Sequence, residues 1–127
     1  MPTITILGLG PGALDDLTVG ALRALQGASH ILLRTDRHPC VEELRGLLDP
    51  ACTVESCDDL YEQHAEFADV YAAVAARVLQ AGAQGDVVYA VPGHPFVGEA
   101  TTPQIVMQSR KQGIAVEIVG GLSFVEG

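Results

Sequence analysis

The chain has 127 residues, 48% of them apolar, which suffices for one domain with a buried core and excludes a disordered protein. Its net charge of −9, from sixteen acidic and seven basic residues, would repel a phosphate backbone and argues against nucleic-acid binding. No apolar run approaches the ~18 residues of a membrane span, and we expect no signal peptide ahead of the first strand. We therefore expect a cytoplasmic protein that does not contact a membrane.

Hydrophobic periodicity predicts five strands that alternate with helices along the whole chain. The predicted strands cover residues 4–9, 30–34, 52–56, 86–91 and 115–119. The predicted helices cover residues 18–26, 41–48, 63–81 and 103–112, and Gly82 is predicted to end the longest of them. Because strands that alternate with helices pair in parallel through right-handed crossovers, this order predicts an α/β fold.

Loops rich in glycine and proline follow the first, fourth and fifth predicted strands. Their sequences are GLGPG at 8–12, PGHP at 92–95 and GGLSF at 120–124. The carboxyl ends of parallel strands lie at one edge of the sheet, which is where open α/β sheets bind ligands. Three such loops at one edge therefore predict a ligand site there.

A dinucleotide-binding fold is the first alternative for this site. Gly8, Gly10 and Ala13 satisfy the pattern G-x-G-x-x-G/A after a strand, and Asp36 stands where a ribose-binding acid would be expected. Against it, Pro11-Gly12 interrupts the motif, and the sequence predicts the helix start further on, at 15–18. Asp15, Asp16 or Thr18 would cap that helix, and two carboxylates there would repel a pyrophosphate.

Taken together, the motifs resemble the tetrapyrrole methylase family, the class III S-adenosylmethionine-dependent methyltransferases. More narrowly, the chain resembles the amino-terminal methylase-like domain that is fused to MazG-type nucleoside triphosphate pyrophosphohydrolases. The resemblance runs along the whole chain in order, through GLGPG with Leu17-Thr18, Leu33-Arg34-Thr35 with Arg37-His38-Pro39, Asp58-Asp59-Leu60-Tyr61 before Phe67, Val91-Pro92-Gly93-His94-Pro95, and Val119-Gly120-Gly121-Leu122-Ser123-Phe124.

This resemblance implies a three-layer α/β/α lobe with a five-stranded parallel sheet in the order 3-2-4-1-5. It also implies that S-adenosylmethionine binds in a cleft between this lobe and a second one. Residues 1–127 would then be the amino-terminal lobe of a longer parent protein, with the second lobe and a MazG-type domain downstream. We expect the lobe alone to be inactive and to form homo-oligomers, because the second lobe would cover apolar residues such as Leu122, Phe124 and Val125.

The family's contacts can be carried over to matching positions of this chain. On the resemblance, the cofactor-binding residues are Gly93, His94, Pro95, Val97, Leu122, Ser123 and Phe124, and the residues lining the substrate side are Gly10, Pro11 and Gly12. Many members have Gly-Asp-Pro where this chain has Gly-His-Pro at 93–95. An imidazole in place of a carboxylate changes the charge and the hydrogen bonds offered to a sulfonium cofactor. Ser123 could equally cap a helix.

Among the four histidines, His94 is the strongest functional candidate, because a loop position between glycine and proline offers it no core to pack in. His38, also beside a proline, fits either a functional or a structural role, whereas His30 and His64 have no partner pattern.

Metal chemistry is not predicted. The three cysteines, Cys40, Cys52 and Cys57, contain no CxxC pair and indicate incidental thiols in a reducing compartment. Asp58 and Asp59 precede a predicted helix and fit a cap and a solvated face better than a magnesium site.

Two functions therefore lead over the dinucleotide alternative. The first is one lobe of a methyltransferase that acts on a small-molecule acceptor, tetrapyrrole-like by family. Methyl transfer depends chiefly on alignment in a dry cleft, so no dedicated catalytic base is assigned. The second is a non-catalytic ligand-sensing or docking module of a pyrophosphohydrolase.

Overall fold

A five-stranded parallel sheet in the order β3-β2-β4-β1-β5 forms the centre of the fold, as expected. The computed structural model describes residues 2–10, 12, 14–93 and 101–120. The strands are β1 (Thr3–Gly8), β2 (His30–Leu33), β3 (Thr53–Ser56), β4 (Val87–Val91) and β5 (Ala115–Val119). The helices are α1 (Val19–Gln26), α2 (Val41–Arg45), α3 (Asp58–Gln63), α4 (Phe67–Gln84) and α5 (Thr101–Gln112), with a 3-10 turn at Leu14–Asp16.

The middle of the sheet is buried on both faces. Strand β4 lies between β1 and β2, with Gly8 of β1 in register with Val91, and each of its five residues is buried. One face packs against α4 and α5 through residues such as Ile4 and Tyr89, and the other packs against α1 and α2 through residues such as Leu7. These two apolar layers explain the continuous apolar character of β4.

The predicted helix 63–81 forms as α4 with shifted bounds, and the sequence missed a separate short helix, α3, in front of it. Helix α3 ends at Gln63, and His64 and Glu66 have extended backbone before α4 begins at Phe67. Asp59 of α3 forms a bidentate ion pair with Arg77 of α4, at 2.7 and 2.8 Å. In one straight helix these residues would lie about 27 Å apart, so the pairing requires the break.

The sequence predicted that Gly82 ends the long helix, and this prediction is wrong. The helix continues to Gln84, and Gly82 is buried inside it. A Cβ atom on Gly82 would lie 2.5 Å from Ile4 Cγ1 of β1, so the missing side chain allows α4 to approach the sheet closely. Helix α2 is also shorter than predicted, because the chain turns at Gly46, whose N–H bonds to the Glu43 carbonyl.

Other local predictions agree with the structure. Thr18 caps α1 by accepting a hydrogen bond from the Ala21 N–H at 3.1 Å. In the described part of the chain, no helix is both long and apolar enough to cross a membrane.

Candidate functional site

The loops after β1 and β4 meet at the carboxyl edge of the sheet, as expected from the neighbouring positions of these strands. Beyond the ladder, the Leu9 N–H donates to the Val91 carbonyl at 2.8 Å. Gly10 and Gly93 then form an antiparallel bridge, with N–H to carbonyl distances of 3.2 Å from Gly10 and 2.9 Å from Gly93. We call this bridge the glycine crossing. It brings together one residue predicted for the substrate side and one predicted for the cofactor.

Glycine is required at both positions of the crossing. Gly10 has φ +78° and Gly93 has φ +68°, a backbone region that residues with a side chain rarely adopt. A Cβ atom on Gly10 would lie 2.8 Å from the Asp16 carbonyl oxygen. The crossing therefore joins the two loops through buried backbone without side chains, at the edge where open α/β sheets bind ligands.

His38, whose role the sequence left open, contacts the crossing directly. Its side chain is only 7% exposed, and its Nε2 lies 2.7 Å from the Gly10 carbonyl oxygen. The Cys40 N–H donates to His38 Nδ1 at 3.2 Å, so the proton belongs on Nε2, which donates to Gly10. A histidine followed by proline just after a strand was the available sequence signal, but the partner lies 28 residues away.

A cleft of about 380 Å³ lies at the same edge, beside the ends of β2 and β3. It is lined by Arg34, Thr35, Arg37, Asp58, Tyr61 and Glu62. Arg34 links the cleft to the centre of the sheet, because the backbone N–H of Arg34 donates to the Ala90 carbonyl at 2.9 Å. The Arg34 guanidinium donates to the Tyr61 hydroxyl at 3.0 Å. The cleft thus combines cationic, anionic and phenolic groups next to the glycine crossing.

Two carboxyl groups at this cleft influence each other. The Asp36 N–H donates to Asp58 Oδ2 at 3.0 Å. The pKa of Asp36 is raised, first by a hydrogen bond with the Asp58 carboxyl group and then by desolvation and repulsion from it. Desolvation disfavours the Asp58 carboxylate, but hydrogen bonds from Asp36, Thr35 and Ser56 outweigh it and lower the pKa of Asp58. Asp58 therefore ionises more readily than Asp36.

The thiols are free and poorly suited to nucleophilic or redox chemistry. Burial raises the pKa of Cys57 to about 11 despite the nearby Arg77 guanidinium, and burial also raises the pKa of Cys40 and Cys52. No group of three or more histidine, cysteine, aspartate or glutamate residues in the described ranges could hold a metal ion.

The remaining predicted site residues divide into two groups. Gly12 is described and lies against Asp16, whose Oδ2 would be 3.2 Å from an added Cβ atom. Pro11, His94, Pro95, Val97, Leu122, Ser123 and Phe124 lie outside the described residues. The segment that contains His94 is bounded on one side by Gly93 of the crossing. On the other side is Thr101, whose hydroxyl lies 2.8 Å from the Tyr89 hydroxyl in the core.

A larger groove lies at the opposite, amino edge of the sheet. Its volume is about 550 Å³, and its lining includes Thr3, Arg23, His30, Asp86 and Glu117. None of the predicted site residues lines it. Because ligands of open α/β sheets bind outside the carboxyl ends of the strands, we assign the site to the carboxyl edge and not to the larger groove.

Comparison with known proteins shows the family of the chain. Residues 3–127 match the family described as Tetrapyrrole (Corrin/Porphyrin) Methylases. The chain is 40% identical over 123 residues to the Bacillus subtilis (strain 168) protein YabN, described as uncharacterized, across 97% of this chain and 24% of YabN. It is 26% identical over 122 residues to the diphthine methyl ester synthase of Dictyostelium discoideum, across 94% of this chain and 41% of the synthase.

Solved structures share the fold. The uroporphyrin-III-C-methyltransferase from Thermus thermophilus superposes with a TM-score of 0.74 at 22% identity, across 96% of this chain and 48% of that enzyme. The cobalt precorrin-4 methyltransferase CbiF, a cobalamin biosynthetic enzyme, gives a TM-score of 0.67 at 25% identity, across 97% of this chain and 47% of CbiF.

The chain spans less than half the length of each of these four relatives. The family that matches nearly the whole chain uses S-adenosylmethionine as its cofactor. The sheet order, the glycine crossing and the match over residues 3–127 agree with one another, and the chain belongs to the tetrapyrrole methylase family.

Proposed function

We propose that this chain is the amino-terminal lobe of an S-adenosylmethionine-dependent methyltransferase whose acceptor is a small molecule. The observation that carries the proposal is the glycine crossing, where the loops after β1 and β4 join through bare backbone at the carboxyl edge. The relatives named as methyltransferases give the reaction class, and the acceptor stays open because those names differ in what they methylate.

The described residues fit such a cofactor. An added Cβ atom on Gly10 would clash with the Asp16 backbone, so the close approach of the two loops depends on a residue without a side chain at Gly10. The net charge of −9 suits a cationic sulfonium. Gly93, His94, Pro95 and Val97 would hold the methionine end, and Leu122, Ser123 and Phe124 would contact the cofactor after β5. Gly10, Pro11 and Gly12 would line the acceptor side.

When bound, S-adenosylmethionine supplies an electrophilic methyl group on a positively charged sulfur. The residues of this chain would bind and orient the cofactor and the acceptor and keep water out of the cleft between lobes. No residue here is assigned as a base, because alignment of acceptor, methyl group and sulfur is the main requirement.

The second proposed function is a ligand-sensing or docking module of a MazG-type pyrophosphohydrolase. The length of YabN leaves room for a further domain in that relative. The chain covers about half of the methyltransferases of known structure but only 24% of YabN, so YabN has room for a further domain beyond two lobes. The second lobe, the cytoplasmic location and the homo-oligomer expected from the sequence stay predictions.

Calorimetry on the parent protein separates these functions. The ligands are S-adenosylmethionine, its demethylated product and NAD. We expect the parent to bind the first two and not NAD. Binding of NAD, without binding of the other two ligands, would support the dinucleotide-binding alternative. A parent with active pyrophosphohydrolase and no affinity for any of the three would favour the docking module.

A further inference from the structure

One carbonyl oxygen joins three loops at the carboxyl edge. The Gly10 carbonyl accepts the Gly93 N–H at 2.9 Å and the His38 imidazole at 2.7 Å. Gly10 belongs to the loop after β1, Gly93 to the loop after β4, and His38 to the loop between β2 and α2. His38 therefore supports the glycine crossing from a third strand end, and both lone pairs of the carbonyl are used.

The imidazole is fixed on both sides. The Cys40 N–H occupies Nδ1 at 3.2 Å, which leaves the proton on Nε2. The His38 carbonyl accepts the Val41 N–H at 3.1 Å at the start of α2, and Pro39 restricts the backbone between them. Because the side chain is buried, water competes little for either hydrogen bond.

We propose that His38 is a positioning residue for the ligand site. Its side chain holds the glycine crossing in the shape that meets the cofactor and the acceptor. Its Nε2 binds to the loop after β1, at a glycine that has no side chain of its own to fix it. The link to S-adenosylmethionine rests on the proposed function, whereas the link to the crossing rests on geometry alone.

The test compares His38→Leu, which removes both hydrogen bonds, with His38→Gln and His38→Asn. The glutamine amide nitrogen reaches roughly the place of Nε2 and can donate to Gly10, whereas the asparagine amide mimics Nδ1 and stops short of Gly10. His30→Leu is the control, because His30 lies at the amino edge and contacts Glu55 at 3.4 Å.

The first readout is amide hydrogen exchange of Gly93 by NMR, which needs no ligand. We expect His38→Leu and His38→Asn to speed exchange of the Gly93 amide about fivefold, the scale of one net hydrogen bond. Amides inside α4 should keep their rates, and His38→Gln and His30→Leu should stay within about threefold of the unsubstituted chain. Equal Gly93 exchange in the unsubstituted chain, the leucine variant and the asparagine variant would overturn the proposal.

The second readout is the affinity of the parent protein for S-adenosylmethionine. We expect His38→Leu and His38→Asn to weaken it about fivefold, with His38→Gln close to the original value. Faster Gly93 exchange without a change in affinity would overturn the positioning role and leave a structural one. If the unsubstituted parent does not bind the cofactor, the proposed function fails, and Gly93 exchange alone decides whether His38 holds the crossing. If His38→Leu does not fold, the glutamine and asparagine variants decide, because equal behaviour of these two would contradict the proposal.

Discussion

The two edges of the same sheet are built differently. At the amino edge, side chains close the structure: the Thr3 N–H donates to Asp86 Oδ1 at 2.8 Å, and His30 contacts Glu55 at the surface. At the carboxyl edge, backbone groups meet each other through Gly10 and Gly93. The larger groove is at the amino edge, yet the left-handed glycines of the crossing are at the other. Gly113, which is also left-handed, lies before β5 at the amino edge, so the carboxyl edge is distinguished by the pairing of two such glycines across the strand ends.

The largest expected effect contrasts one glycine from each edge. Gly10→Ala places a side chain at φ +78° and 2.8 Å from the Asp16 carbonyl oxygen, and should lower the free energy of unfolding by about 2–4 kcal/mol. Gly85 lies before β4 at the amino edge and has extended backbone, and a Cβ atom added by Gly85→Ala would have no heavy atom within 4 Å. It should leave stability unchanged or raise it by up to ~1 kcal/mol.

Urea unfolding of the two alanine variants measures this difference. Equal free energies of unfolding for the two variants would show that a side chain at Gly10 does not strain the glycine crossing. The contrast between the two edges would then lose its main support.

The second prediction asks whether the carboxyl edge supplies only half of the cofactor site. If a second lobe provides two or three further hydrogen bonds at ~1 kcal/mol each, the 127-residue chain should bind S-adenosylmethionine roughly 30- to 150-fold more weakly than the parent. Calorimetry on both proteins measures the ratio. Equal affinities would contradict the two-lobed site. Ligand-induced NMR shifts at Thr3 and Asp86, with none at Gly10 and Gly93, would place the site at the amino edge and contradict its assignment to the carboxyl edge.

The sequence predicted the features that depend on neighbouring residues and on strand order. Alternating strands and helices indicated a parallel sheet, and the family resemblance supplied its order, from which the meeting of Gly10 and Gly93 followed. The Thr18 cap was among the predicted alternatives because a cap is decided within one helical turn.

The features that the sequence did not predict depend on partners far along the chain. The break between α3 and α4 accompanies the pairing of Asp59 with Arg77, and Gly82 is needed where α4 crosses Ile4 of β1. Both are tertiary contacts that override a local periodicity. His38 is the same case within the site, since a histidine beside a proline does not reveal which carbonyl it will bind.

The third prediction concerns His94, which the resemblance places at the cofactor. In the parent protein, His94→Ala should weaken S-adenosylmethionine binding about fivefold, the scale of one net hydrogen bond. His64→Ala is the matched control, because His64 lies at the end of α3. Similar affinities in the two variants would remove His94 from the cofactor site and leave Gly93 as the part of that loop with structural support.

The smallest expected effect compares one side-chain contact from each edge. Asp59→Asn breaks the bidentate pair with Arg77, whereas His30→Gln removes the contact with Glu55 at the amino edge. Both pairs are partly exposed, so solvent screens them, and we expect Asp59→Asn to cost ~0.5 kcal/mol at pH 7 and His30→Gln to cost less than that.

The pH dependence of the Asp59 pair has a definite sign. Hydrogen bonds from Arg77 lower the pKa of Asp59 below its ordinary value of 3.8. The carboxylate therefore stabilises the folded state fully above about pH 4, and this contribution is lost as the pH falls through the lower folded-state pKa. Urea unfolding at pH 7 should show a deficit for Asp59→Asn that shrinks below pH 4, whereas a deficit that persists unchanged in acid would mean that the asparagine disturbs packing between α3 and α4 and not the charge.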